Sequence, residues 1–151
     1  MLNVFHHIPD VESFLSEANR CLKKGGRILI SDGHLGLLSR FILKYFHHEP
    51  FEPKIKEWKF RSSGPLSDAN TALAWIVFQR DLDKFNTIFS NKLELVRYTP
   101  HTPLLYWLAG GLKQWSLLPG NSYIIANLID NLLLKISKNF GSFVDIELVK
   151  I

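Results

Sequence analysis

The sequence predicts an α/β domain of the doubly wound kind, on three observations. An amphipathic helical stretch runs into a short apolar strand across the two-glycine turn Gly25-Gly26. Two more strand-like runs follow, at 93–98 and 142–151, each behind a helical stretch. Proline- and glycine-rich breaks separate these elements, and helix alternating with strand is how sheets with helical cover are built.

Residues 2–5 are extended and apolar, the tail of a strand. Pro9 suits a turn, and Asp10 can cap a helix by accepting from backbone N–H groups. Val11, Phe14, Leu15, Ala18 and Leu22 then recur at helical spacing. Lys23 and Lys24 favour the negative helix end, and Gly25-Gly26 stops it by taking positive φ. Ile28-Leu29-Ile30 is a continuous apolar run, as in a strand covered on both faces. Leu35 to Phe46 is helical, ended by the prolines in Glu49-Pro50-Phe51-Glu52-Pro53. Residues 54–67 read as an irregular excursion. A longer helix is expected from Asp68 to Phe89. Leu93 to Tyr98 is a strand, which Thr99-Pro100-His101-Thr102-Pro103 is expected to break. Residues 104–120 declare no secondary structure. Asn121 or Ser122 can cap a helix carrying Ile125, Leu128, Ile129, Leu132, Leu133 and Ile136, which Gly141 closes. Phe143 to Ile151 is a final strand rich in β-branched residues.

The chain has 151 residues, the size of one domain, and 46% hydrophobic against 21% charged residues gives a globular balance. Net charge is +4. The densest basic cluster, Lys54, Lys56, Lys59 and Arg61, is interrupted by Glu57, too thin a stripe for a nucleic-acid face. The single cysteine, Cys21, excludes a disulfide framework and suits the cytoplasm; it reads as a small packed residue. No leader pattern opens the chain, and no apolar run approaches the roughly 20 residues of a membrane span.

Asn3-Val4-Phe5-His6-His7-Ile8-Pro9-Asp10 and Arg20-Cys21-Leu22-Lys23-Lys24-Gly25-Gly26-Arg27-Ile28-Leu29-Ile30-Ser31-Asp32-Gly33 together resemble the middle of a class I, type 11-like S-adenosylmethionine-dependent methyltransferase. The resemblance is specific over residues 3–33 and topological beyond. Tyr45 to Phe51 and Trp75 to Phe78 also resemble an elaboration of bacterial members. It implies the C-terminal half of a Rossmann-like sheet: residues 2–5 end its fourth strand, 27–32 are the fifth, and 93–98 and 142–151 are the antiparallel sixth and seventh. The seventh would lie between the fifth and sixth. Residues 1–151 would be one truncated domain with insertions at about 34–67 and 99–140. The family's glycine-rich cofactor loop would precede Met1, and the chain holds no G-x-G-x-x-G. The chain alone is therefore expected not to bind cofactor competently, and with its bare strand edge to be unstable, to aggregate, or to pair with a separately encoded N-terminal half.

By the same resemblance, Asn3, Val4 and Phe5 would border S-adenosylmethionine, and His6 and His7 would stand beside the reacting methyl group. A histidine there could deprotonate a hydroxyl or amine acceptor; the plainer alternative is one histidine packed at a strand end and one in solvent. Asp32, Gly33, Trp75 and His101 are candidates for the acceptor side, with a simple turn as the alternative for Asp32-Gly33. No metal is expected at His6-His7 or His47-His48-Glu49, because adjacent histidines point in different directions. The aromatic-rich second half and helix 122–136 fit either an ordinary buried helix or a small-molecule, lipid-linked or glycan-linked acceptor with peripheral membrane contact. The rival to an enzyme is a non-catalytic methyltransferase-like module that binds a protein partner or a membrane surface.

Overall fold

Asp10 starts the first helix as its residue type suggests. Its carboxylate accepts from the Ser13 N–H at 3.0 Å and the Ser13 hydroxyl at 2.8 Å. Helix α1 (Val11–Cys21) follows and buries Val11 and Leu15. Gly25, at φ +77°, turns the chain into strand β1 (Arg27–Gly33). The computed structural model describes residues 1–46, 49–64, 68–111 and 116–151.

Beyond β1 lie α2 (Leu37–Tyr45), α3 (Leu73–Trp75), α4 (Leu82–Ile88), β2 (Leu93–His101), α5 (Leu105–Leu108), α6 (Ser122–Ile136) and β3 (Phe143–Lys150). The fold is mixed α/β. Its strands form one sheet in the order β1-β3-β2, with both pairings antiparallel. Arg27 stands opposite Val149 and Gly33 opposite Phe143 on one side of β3; Leu93 stands opposite Lys150 on the other. Along the free edge of β1 the first residues run parallel, through a bridge from Leu2 to Ser31. The Asn3 N–H donates to the Ser31 carbonyl at 2.8 Å, and the Ser31 N–H donates to the Met1 carbonyl at 3.0 Å.

One sheet face carries the core. Ile30, Val144, Ile146 and Leu148 meet Phe5, Leu15, Phe78 and Phe85, all at most 2% exposed. Trp58, wholly buried, closes this layer from the loop before α3 and donates its ring N–H to Asp81 at 2.9 Å. On the opposite sheet face, Tyr106 and Trp107 of α5 cover the Phe143 end, and the far end stays exposed at Leu29.

Five expectations are corrected. The opening strand ends at Asn3, whose φ of +49° turns the chain into a 3₁₀ turn at Phe5–His7. Leu29 is 55% exposed, because the sheet is antiparallel here and its second face is covered only at the Phe143 end. The helix expected over 68–89 is broken. The Asn70 side-chain carbonyl takes the Ala72 N–H at 3.2 Å, competing with helix before α3. A π turn (Ile76–Arg80) then separates α3 from α4, where Asp81 turns sideways to Trp58 and Arg80. Strand β2 runs through Pro100 to His101. It lies at the edge of the sheet, where a missing N–H costs no ladder bond. Cys21 is exposed, since it follows the last buried turn of α1.

Candidate active site

Asp32 organises the site. It comes from the end of β1 and is wholly buried. One carboxylate oxygen accepts from the backbone N–H groups of Phe5 at 2.9 Å and His6 at 3.3 Å. The other takes the Gly33 N–H and the His6 ring Nδ1, each at 2.7 Å. A buried carboxylate is tolerable only when so satisfied, and this one ties the 3₁₀ turn to the strand. The Asp32 oxygens thus face the protein's own backbone and His6 at the edge of the cavity.

Both histidines are fixed by their Nδ1 atoms. His6 donates Nδ1–H to the Asp32 carboxylate, while His7 donates to the Asp68 carbonyl at 2.9 Å. Carbonyl and carboxylate only accept, so each Nδ1 carries the proton and each Nε2 is left to the site. The rings lie 4.2 Å apart. The Nε2 atoms of His6 and His7 reach Glu49 oxygens at 3.5 and 3.8 Å. The expectation that adjacent histidines diverge therefore fails, because the tight turn brings both rings to one carboxylate. Those three residues offer ligand atoms within 4.8 Å of one another, close enough to share one cation. His47 and His48 lie outside the described residues.

Burial draws the His6 pKa down, but the hydrogen bond and charge of Asp32, with the charge of Glu49, outweigh it and hold it above 6.5. A cavity of about 200 Å³ opens beside the pair. Asn3, Gly33, Thr71 and Leu43 line it, and Tyr106, Trp107 and Phe143 form an aromatic wall. Trp107 is held by its ring N–H on the Ser142 hydroxyl at 2.8 Å, which donates on to the Pro103 carbonyl at 2.7 Å. Burial and the Glu49 charge raise the Tyr106 pKa.

Of the residues singled out from sequence, Asn3, His6, His7, Asp32 and Gly33 meet at this cavity. Val4 is half-buried and is not among the residues lining it, and Phe5 is a core residue packed on Phe14 and Phe78. Trp75 lies elsewhere, in a groove against α2. His101 ends β2, bonded to Thr102 and 3.4 Å from Asp145. Sequence reasoning missed Glu49 as a partner of His6 and His7, along with Asn70 and Thr71. Asn70 bonds both the N–H and the carbonyl of Glu52, and the Thr71 N–H donates to the Pro50 carbonyl, which docks the Glu49 loop. Only the polar residues after 67 hinted at this.

Residues 1–30 match the family model described as Methyltransferase domain, of type 11. This segment is class I methyltransferase-like. It lies at the N-terminus of the chain and carries the 3₁₀ turn, α1 and most of β1, hence both site histidines. No curated protein and no solved structure matches the chain.

The residues present fit only part of the cofactor such domains use. A hollow of about 200 Å³ is smaller than the roughly 300–1,000 Å³ that holds a drug-sized ligand. It suits a reacting group and its acceptor atom. No described residue at this cavity supplies a glycine-rich cradle for a nucleoside.

Proposed function

We propose that this chain provides the acceptor side of an S-adenosylmethionine-dependent methyl transfer, with His6 as the group that takes the acceptor's proton. The observation that carries this is the Asp32–His6 pair, buried at the end of β1 and opening on a cavity to which the methyltransferase-like segment contributes Asn3, His6 and His7. The strand order β1-β3-β2 supports the reading, since it is the order expected for the fifth, seventh and sixth strands of that sheet. When bound, the cofactor supplies an electrophilic methyl group. The rest falls to the protein: aligning the acceptor and keeping water out, worth roughly 7–11 kcal/mol when two reactants are held in line.

Asp32 fixes the His6 ring with Nε2 toward the cavity and strengthens it as a base. Glu49 faces both Nε2 atoms and favours the charge that His6 gains with a proton. Tyr106, Trp107 and Phe143 exclude water. The acceptor is a hydroxyl or amine, on a small molecule or on a lipid- or glycan-linked one. The small cavity favours one rival, a non-catalytic module of methyltransferase descent.

Titration of isotope-labelled protein with S-adenosylmethionine separates the two. Without a glycine-rich loop in the chain, binding is expected to be weak, with shifts confined to Asn3–His7, Asp32 and Gly33. Shifts confined to other regions, or none at saturating cofactor, would sink the enzymatic reading.

A further inference from the structure

Helix α6 is turned inside out for a protein in water. Its buried side chains are Ala126 and Asp130, and Asp130 is spent on the backbone N–H groups of Leu104 and Leu105, at 2.8 and 3.1 Å. On the outer side, Ile124, Ile125, Leu128, Leu132 and Ile136 are each 59–68% exposed. An amphipathic helix normally buries that stripe. Helix α2 repeats the pattern: Leu37, Phe41 and Tyr45, with Phe46 just beyond, are 54–70% exposed.

The charges that these two helices expose have one sign. Helix α2 carries Arg40 and Lys44 and no acid; α6 carries Lys135, and its one acid is the buried Asp130. Beside α2 a groove of about 710 Å³ is walled by Phe41, Phe51 and Trp75 and edged by Arg40, Lys44 and Lys54, while Arg80 is held by Asp81 and the Pro53 and Ile55 carbonyls. None of its lining residues is acidic. The Arg40 guanidinium stands over the Trp75 ring at 5.6 Å, and both residues line the groove. A second hollow joins Leu37 and Arg40 to Lys138 and Asn139, just past the end of α6, so α2 adjoins the turn that follows α6. No described helix is long and apolar enough to cross a membrane, and the 15 residues of α6 would lie along a surface.

We propose that the α2–α6 flank binds the surface of an anionic lipid bilayer, its apolar side chains entering the headgroup boundary and the groove cations taking a lipid phosphate. Apolar burial joined to attraction for anionic headgroups is how surface helices hold a membrane. A second copy of this chain would bring the same cations against themselves and is disfavoured on charge. The inference is independent of His6 and of methyl transfer.

Vesicle co-sedimentation of the full chain tests it, with neutral phosphatidylcholine against phosphatidylcholine mixed with phosphatidylglycerol. Binding is expected to be at least about tenfold tighter to the anionic vesicles, and inorganic phosphate should compete poorly. Each surface cation is worth about fivefold, so the double variant Arg40→Gln/Lys44→Gln should lose about twenty-five-fold. The triple variant Ile125→Ser/Leu128→Ser/Leu132→Ser alters only exposed positions and should abolish binding with its melting temperature kept. Equal binding to both vesicles, no binding, or unchanged binding by the two variants would each overturn the proposal. So would a dimer that the triple variant dissolves without affecting vesicle binding.

Discussion

His34 provides a direct test of the packing between α2 and the sheet. It is 4% exposed, with Nδ1 on the Tyr98 hydroxyl at 2.8 Å and a buried Nε2 that has no partner among the described residues. Burial, then the charges of Arg40 and His101, lower its pKa from 6.5 to about 4. The sign follows from which state takes the proton first. Above 6.5 the ring is neutral in both states. Between 6.5 and about 4 the unfolded chain binds the proton and the folded one does not, so stability falls as pH falls. At about 1.4 kcal/mol per pH unit, the full loss is about 3 kcal/mol, complete near pH 4. His6, with a raised pKa, works in the opposite direction, contributing stability at low pH that is lost as pH rises. A difference measurement removes it. The variant His34→Gln keeps a partner for Tyr98 and cannot titrate. Urea unfolding of both proteins should show the wild type losing about 3 kcal/mol relative to the variant between neutral pH and pH 4. A gap that stays constant would mean that the ring titrates near its free value and that the tight packing inferred for it is wrong.

Other substitutions probe the site and the chain crossings. Asp32→Asn should destabilise by about 3 kcal/mol, because it takes the charge from a carboxylate satisfied by three backbone N–H groups and a histidine. In any methyl-transfer assay it should also shift the acid limb of the pH profile downward, whereas an unmoved limb would deny His6 the proton. Phe5→Ala should cost about 3–5 kcal/mol in denaturant unfolding, since the ring is wholly buried against Phe14 and Phe78. A cost under about 1 kcal/mol would place Phe5 outside the core. Gly36→Ala should fail to reach the native melting temperature, because the added methyl would collide with the Gly141 carbonyl where two backbones cross. Near-native melting would show that this crossing has room.

The local elements followed from sequence because their causes are local. Asp10 caps α1 by reaching three residues ahead, and Gly25 turns the helix into β1 through a φ that glycine takes freely. The β-branched run from Phe143 to Ile151 was enough to mark β3, and residues 3–33 carried the family likeness. What lay beyond local reach depends on distant groups meeting. Asn70 breaks a helix by bonding near Glu52; Pro100 stays in a strand because β2 lies at an edge; Leu29 is exposed because the described cover of that sheet face lies at its Phe143 end. The site follows the same division. His6 and His7 could be named from the sequence, but their convergence needed the Asp32 carboxylate, 26 positions along, and the Asp68 carbonyl, 61 positions along, to set each ring. The apolar stripe of α6 was plain in its spacing, yet spacing says only that one face differs. Asp130, satisfied by Leu104 and Leu105, draws the polar side inward and leaves the stripe to the surface.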